Sequence, residues 1–199
     1  MTESAWDILL LGGASGVGKS RAAAQLARER GAFVVEFDDV VSALQRSTDA
    51  GSHPALHHFV GLPDTSVLDV DHVVELQIAT AEALAPALLG VVDNRRTVDV
   101  PAVIEGDYLD PATVARAVAE GSAGGRRVRA VFLHEGDPAR IVANYAAREP
   151  DGGRQTHRAQ VSARYAERLA EQAARHGLPV VPARPWHEVS TRIERALAG

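Results

Sequence analysis

The chain has 199 residues, 46% apolar and 24% charged, which fits one globular domain around a single core. It contains no cysteine, so disulfides, thiolate metal sites and thiol nucleophiles are excluded. A net charge of −5, an acidic opening MTESAWD and the lack of any apolar run of membrane-spanning length leave nucleic acid and membrane out as partners; a soluble, cytoplasmic protein is expected.

Ile8 to Leu11 reads as a buried strand that stops at glycines, and Gly13, Ala14, Ser15, Gly16, Val17, Gly18, Lys19 and Ser20 fit the phosphate-binding pattern G-x-x-x-x-G-K-S. RAAAQLARERG then reads as a helix ending at Gly31. In that context the glycines let main-chain N–H groups turn onto a polyphosphate, with the helix N-terminus adding partial positive charge. Lys19 would reach the β- and γ-phosphates of ATP or GTP, and Ser20 would offer its hydroxyl to Mg²⁺.

Ala32 to Phe37 reads as the second strand, closed by Asp38 and Asp39. Ligands of open α/β sheets gather at the carboxyl ends of strands, so this acidic pair should face the phosphates. Asp38 suits a general base for an acceptor hydroxyl; either acid also suits the cap of the next helix, and both roles hold if Asp39 caps. From Asp49 to Asp69 two prolines, two glycines and the histidines His53, His57 and His58 interrupt all periodicity. We read residues 49–72 as an acceptor-binding flap, and the histidines as loop or pocket residues for want of a carboxylate pattern beside them.

Helical spacing returns at Val73, Leu76, Ala81, Leu84 and Leu88, with Pro86 set to kink or end that helix. Arg95 to Val100 fits either a turn or a short strand. Val100 to Glu105 is the third strand; an acid at its end suits the carboxylate that orients a metal's water shell, with Glu105 first and Asp107 second. Glu105 could equally pair with an arginine. Pro111 opens a short helix that Gly121 to Gly125 should close, and Val128 to Leu133 is the fourth strand.

Residues 137–177 read as two helices broken at Glu149-Pro-Asp-Gly-Gly153, with Arg140, Arg148, Arg154, Arg158, Arg164 and Arg168 around the break. Such a pair fits a closing lid, and Arg148 and Arg154, then Arg158, are the candidates to neutralise phosphate. Val161, Tyr165, Leu169 and Ala173 give the second helix a buried stripe. Leu178 to Val181 is a fifth strand, Trp186 suits either a nucleotide base or the core, and Val189, Ile193 and Leu197 face the last helix inward. Strand–helix alternation implies an α/β domain with a parallel sheet covered on both sides.

LLLGGASGVGKS, VVEFDDVVSAL and AVIEGDYLDP, in that order, resemble the P-loop small-molecule kinases similar to 2-phosphoglycerate kinase and the chloramphenicol phosphotransferase-like resistance enzymes. The resemblance implies the P-loop kinase fold, with about five parallel strands in the order 2-3-1-4-5 flanked by helices, and a helical lid. It also implies NTP- and Mg²⁺-dependent transfer of a γ-phosphoryl group to a small-molecule hydroxyl, with the acid after the second strand as base. Phosphoglycerate-type kinases tend to carry His after Ile-Glu-Gly, where this chain has Asp107; with Asp38, Asp39 and Glu105 this suits a neutral acceptor such as a nucleoside, a sugar or a capuramycin-type antibiotic. The rival readings are a metabolic kinase of the 2-phosphoglycerate type and a nucleotide-dependent switch, although no Asn-Lys-x-Asp guanine pattern occurs. A homodimer is left open.

Overall fold

In the computed structural model, which describes residues 5–62, 64–123, 125–152 and 155–198, the apolar run Ile8–Gly12 becomes the central strand β1. All five of its residues are buried, because parallel neighbours hem it in on both edges. Helix α1 (Lys19–Arg30) follows and ends at Gly31 in the left-handed conformation. Then come β2 (Phe33–Glu36), α2 (Phe37–Ser47), α3 (Val70–Ala83), α4 (Ala85–Arg96), β3 (Ala102–Gly106) and α5 (Pro111–Ala123). The chain finishes with β4 (Val128–His134), α6 (Pro138–Arg148), α7 (Thr156–Arg175), β5 (Val180–Pro182) and α8 (Val189–Ala198).

The five strands form one parallel sheet in the order β2-β3-β1-β4-β5, as the resemblance implied. Helix α1 packs with α8, and α5 packs with both α4 and α7. The register sets Leu11 beside Glu105 and Gly12 beside Gly106, so β1 and β3 deliver the glycine loop and the acidic segment to the same edge of the sheet.

Several boundaries fall elsewhere than expected. The wholly buried Phe37 turns the chain into α2 straight after Glu36, so Asp38 and Asp39 stand in the first helical turn and not at a strand end. Residues 49–72 are not structureless. Short 3₁₀ turns at Pro54–His57 and Thr65–Val67 organise them, the buried Leu56 anchors them, and Thr80 Oγ1 donates to the Ala55 carbonyl at 2.8 Å. Pro86 sits in the first turn of α4, which bends 47° from α3; no single described helix is long and apolar enough to cross a membrane. Arg95 and Arg96 end α4, and turn geometry, not a strand, leads on to β3.

Helix α5 ends at Ala123, within the expected 121–125 stop, with Gly125 at φ 82° just beyond it. Gly121 lies inside the helix, where an added side-chain carbon would run into Val128 of β4. Gly124, within the expected stop, lies outside the described residues. Gly121→Ala is therefore expected to destabilise the fold by ~1–3 kcal/mol through overpacking, more than the ~1 kcal/mol that alanine gains over glycine in a helix. For a domain this size that is a fall of roughly 2–4 °C per kcal/mol in a thermal melt. An unchanged or raised midpoint would contradict this account of the helix–strand contact.

Candidate active site

Gly13, Gly16 and Gly18 have φ of 147°, 76° and 99°, conformations that residues with a Cβ rarely adopt. Between them Ala14 and Val17 are wholly buried. What the loop offers the cleft is thus mainly main chain, with Gly18 as the N-cap residue of α1. A ring of successive amides at the start of a helix is suited to a polyphosphate. Tyr145 of α6 presses so close to Gly16 that a side-chain carbon there would lie 2.9 Å from its ring, and Asn144 Nδ2 donates to the Gly16 carbonyl at 2.7 Å.

A cleft of about 480 Å³ opens over this loop, lined in part by Lys19, Ser20, Asp38, Glu105 and Asp107. Lys19 is buried and its ammonium donates to the Ala14 carbonyl at 3.0 Å and pairs with the Asp107 carboxylate. Burial works against its charge, but Asp107, with Glu105 and Asp38 behind it, holds the ammonium above the ordinary lysine range. Glu105 is 4% exposed, with the Ser20 hydroxyl beside its carboxylate. Burial lifts its carboxyl above the usual glutamate value, against the pull of Lys19 and of Ser20.

Asp38 opens onto the cleft from α2, with its carboxylate beside the Asp107 main chain. It remains exposed at the cleft mouth, so its burial is partial. Burial there pushes its carboxyl up to about 6, with the Asp107 charge adding to the rise and Lys19 opposing it. Gly106 permits this approach, since a side-chain carbon on it would lie 2.9 Å from Phe37 Cβ. Asp39 is exposed on the same turn and does not line the cleft, nor does it cap α2; the N-cap residue is Glu36, which makes no side-chain cap.

On the far wall Arg148 and Arg158 both line the cleft with their guanidinium groups over the Tyr145 ring, at 5.4 and 4.2 Å from its centroid. Both pair with Glu149, at 2.5 and 3.1 Å. Arg154 lies outside the described residues. Arg164 and Arg168 turn away and bridge to Asp71 and Glu75 of α3, while Arg140 pairs with Glu135 and Asp137. The buried stripe Val161, Tyr165, Leu169 and Ala173 belongs to the main core, so of the expected lid only α6 and the start of α7 overhang the cleft.

His57 bonds to Thr48 and His53 to Ser52, and no group of three His, Cys, Asp or Glu among the described residues is arranged to hold a metal. Mg²⁺ does not require one. It keeps most of its waters and takes one or two protein oxygens together with phosphate oxygens, and the Ser20 hydroxyl beside the Glu105 carboxylate is a donor pair of that kind.

Sequence reasoning left Trp186 open and passed over Asn144 and Tyr145. Trp186 lines the cleft with its ring edge against Gly18, and Arg21 and Arg184 lie over its ring at 5.2 and 4.5 Å. Arg184 also donates to Asn144 Oδ1 at 2.7 Å, which ties the loop before α8 to α6 and, through Asn144, to the glycine loop. Nothing local in the sequence marks a helical Asn as that link. Beyond Asp38 and Asp107 two smaller chambers of about 240 and 280 Å³ open toward residues 59–65.

A family model described as an AAA domain matches residues 8–163. Among solved structures, a gluconokinase from Sinorhizobium meliloti 1021 aligns over 97% of this chain and 91% of its own, with a TM-score of 0.60 and 16% identity. A shikimate kinase from Acinetobacter baumannii in complex with shikimate aligns over 97% and 93%, with a TM-score of 0.57 and 10% identity. No curated protein matches the sequence. At these identities the likeness is one of fold, and that fold is the P-loop kinase fold.

Proposed function

Because the chain belongs to the AAA-domain family AAA_33, which spans residues 8–163, and carries the P-loop kinase fold, we propose that it transfers the γ-phosphoryl group of ATP or GTP to a small-molecule hydroxyl. The observation that carries this reading is Asp38: a carboxylate that opens onto the cleft across from the glycine loop, in a setting that raises its affinity for a proton. The acceptor we assign is an uncharged alcohol of antibiotic, nucleoside or sugar type, which fits a role in self-resistance.

In this reading the loop amides and Lys19 hold the β- and γ-phosphates, Lys19 leaving Asp107 to do so. Ser20 and Glu105 hold Mg²⁺, which supplies charge neutralisation across the phosphates when bound. Asp38 accepts the acceptor's proton as the hydroxyl oxygen bonds to the γ-phosphorus; the bond from that phosphorus to the β–γ bridging oxygen breaks, and the nucleoside diphosphate leaves. Arg148 and Arg158, on a lid built of α6 and the start of α7, neutralise the equatorial oxygens, a role Arg154 is assigned with them from the sequence, and residues 49–72 cover the acceptor. Asp107, freed from Lys19, faces the acceptor.

The test is incubation with Mg·NTP and a panel of hydroxylated antibiotics, nucleosides and sugars, followed by mass spectrometry. A phosphorylated acceptor and an equal amount of nucleoside diphosphate are expected; orthophosphate alone, with every acceptor unchanged, contradicts the proposal.

A base must be ionised to act, so kcat/KM should rise with pH through about 6 and then level off. Since Asp107 helps to raise the Asp38 carboxyl, Asp107→Asn should move that acid limb to lower pH. A limb that stays in place when Asp107 is neutralised would assign the ionisation to another group.

A further inference from the structure

The two chambers beyond the reacting centre share a partition, since Phe59 and Tyr108 line both. One, of about 240 Å³, lies against Val73, Gln77 and Val161 with Asp107 on its wall; the other, of about 280 Å³, lies against Val41, Ser42 and Gln45 with Asp38 on its wall. Neither alone reaches the roughly 300 Å³ at which sites for drug-sized ligands begin, and together they fall within that range.

Their chemistry is as informative as their size. Arg158 is the one cation lining either chamber among the described residues; Glu149 at 3.1 Å, Gln155 at 2.6 Å and the Tyr145 ring hold it here, and the proposed transfer commits it to the γ-phosphate. Where the chambers meet the cleft stand two carboxylates. A carboxylate or phosphate on the acceptor would find no free cation there and two like charges. What the walls do offer is aromatic and aliphatic surface with neutral hydrogen-bonding groups. The Gln77 carboxamide oxygen is buried without a partner, a group that an acceptor N–H or hydroxyl would satisfy.

We infer that the two chambers form one acceptor site for an uncharged molecule of two ring-sized parts, one on each side of the Phe59–Tyr108 partition, with the reacting hydroxyl held between Asp38 and Asp107. This rests on the phosphotransferase reading and narrows it to a substrate class. Nucleosides and two-ring glycosides have that form; single sugars fill only one chamber, and hydroxy acids carry the wrong charge.

The experiment compares kcat/KM for three sets of alcohols with Mg·ATP and with Mg·GTP: nucleosides and two-ring glycosides, single-ring sugars, and the hydroxy acids gluconate and shikimate. At least one two-ring uncharged acceptor should exceed both hydroxy acids by ~100-fold or more, the scale set by facing like charges. It should also exceed the single-ring sugars, through KM. Ser42→Phe, made at an exposed position that lines the second chamber, should raise KM ~10-fold for two-ring acceptors and much less for single-ring ones. A thermal melt confirms that the variant is folded.

Titration calorimetry of the same molecules with a non-hydrolysable NTP present separates the two ways of failing. Two-ring molecules that bind but gain no phosphate overturn the transfer reading and leave the site standing. Hydroxy acids that bind or react as well as the uncharged molecules, single sugars that match the two-ring ones, or no binding by any two-ring molecule overturn the site.

Discussion

Asp38→Asn is expected to lower phosphoryl transfer by ~10²–10⁴-fold, the contribution of a positioned general base, while leaving Mg·NTP affinity within a few-fold. The substitution keeps the size of the side chain and an oxygen that can accept a hydrogen bond beside the Asp107 main chain. What it removes is the ability to take a proton. Asp38 also stands on α2, across the cleft from the loop that grips the phosphates, so nucleotide binding should feel only the lost charge. Single-turnover transfer and equilibrium nucleotide titration read the two quantities apart. Transfer at the original rate would take the proton-accepting role from Asp38; a large loss of nucleotide affinity would make it a phosphate- or metal-side residue.

Lys19→Ala is expected to act on the opposite wall, weakening nucleotide binding and lowering transfer by ~10²–10³-fold, as the loss of one strong charge-stabilising donor does. A second consequence is specific to this site. Lys19 is the cation that opposes the rise of the Asp38 carboxyl and pairs with Asp107. Its removal leaves Asp38, Asp107 and Glu105 facing one another with no ammonium between them. The residual activity should therefore show its acid limb at higher pH than the parent, the reverse of the Asp107→Asn shift. Direction is the diagnostic: a Lys19→Ala limb that stays in place or moves to lower pH means that the three side chains do not share one electrostatic environment in the working enzyme.

Most of the sheet was legible because its central strands are largely apolar runs bounded by glycine, acid or polar residues. Ile8 to Leu11 and Val103 to Glu105 are buried throughout, and Val128 to Leu133 nearly so, with only Arg129 half-exposed. The loop was legible for the same reason its chemistry works, since glycine at fixed intervals before Lys-Ser is a main-chain requirement written directly in residue type. The start of α2 was not. Asp38 and Asp39 looked like the close of a strand because Phe37 reads equally well as strand or helix, and only its burial under the sheet decides. At Gly121 the sequence shows a residue near a helix end, but it does not reveal that Val128 will lie against it. Asn144 and Tyr145 were invisible for a similar reason. Their importance comes from touching Gly16 across 128 positions of chain in the case of Asn144, a distance no local pattern spans. The arginines illustrate the converse. Sequence clustered six of them near one turn, but Arg164 and Arg168 pair with α3, and only partner geometry separates these from Arg148 and Arg158 over the cleft.

In the proposed reaction the Lys19–Asp107 pair predicts an order of events. As long as the ammonium is held by Asp107 and the Ala14 carbonyl, the lysine points into the protein's own acids. A polyphosphate entering over the loop amides competes for it, and the exchange leaves Asp107 facing the acceptor side. Nucleotide first and acceptor second is the order this geometry favours.

The central claim is direct passage of the γ-phosphoryl group from nucleotide to alcohol, and the most direct measurement follows its oxygen. The reaction is run in water labelled at oxygen, with an uncharged acceptor, and the products are separated by mass. Direct transfer predicts a phosphorylated acceptor with no solvent oxygen in its phosphate and little labelled orthophosphate. Labelled orthophosphate as the sole product, in step with nucleoside diphosphate, would mean that water and not an alcohol is the nucleophile at Asp38.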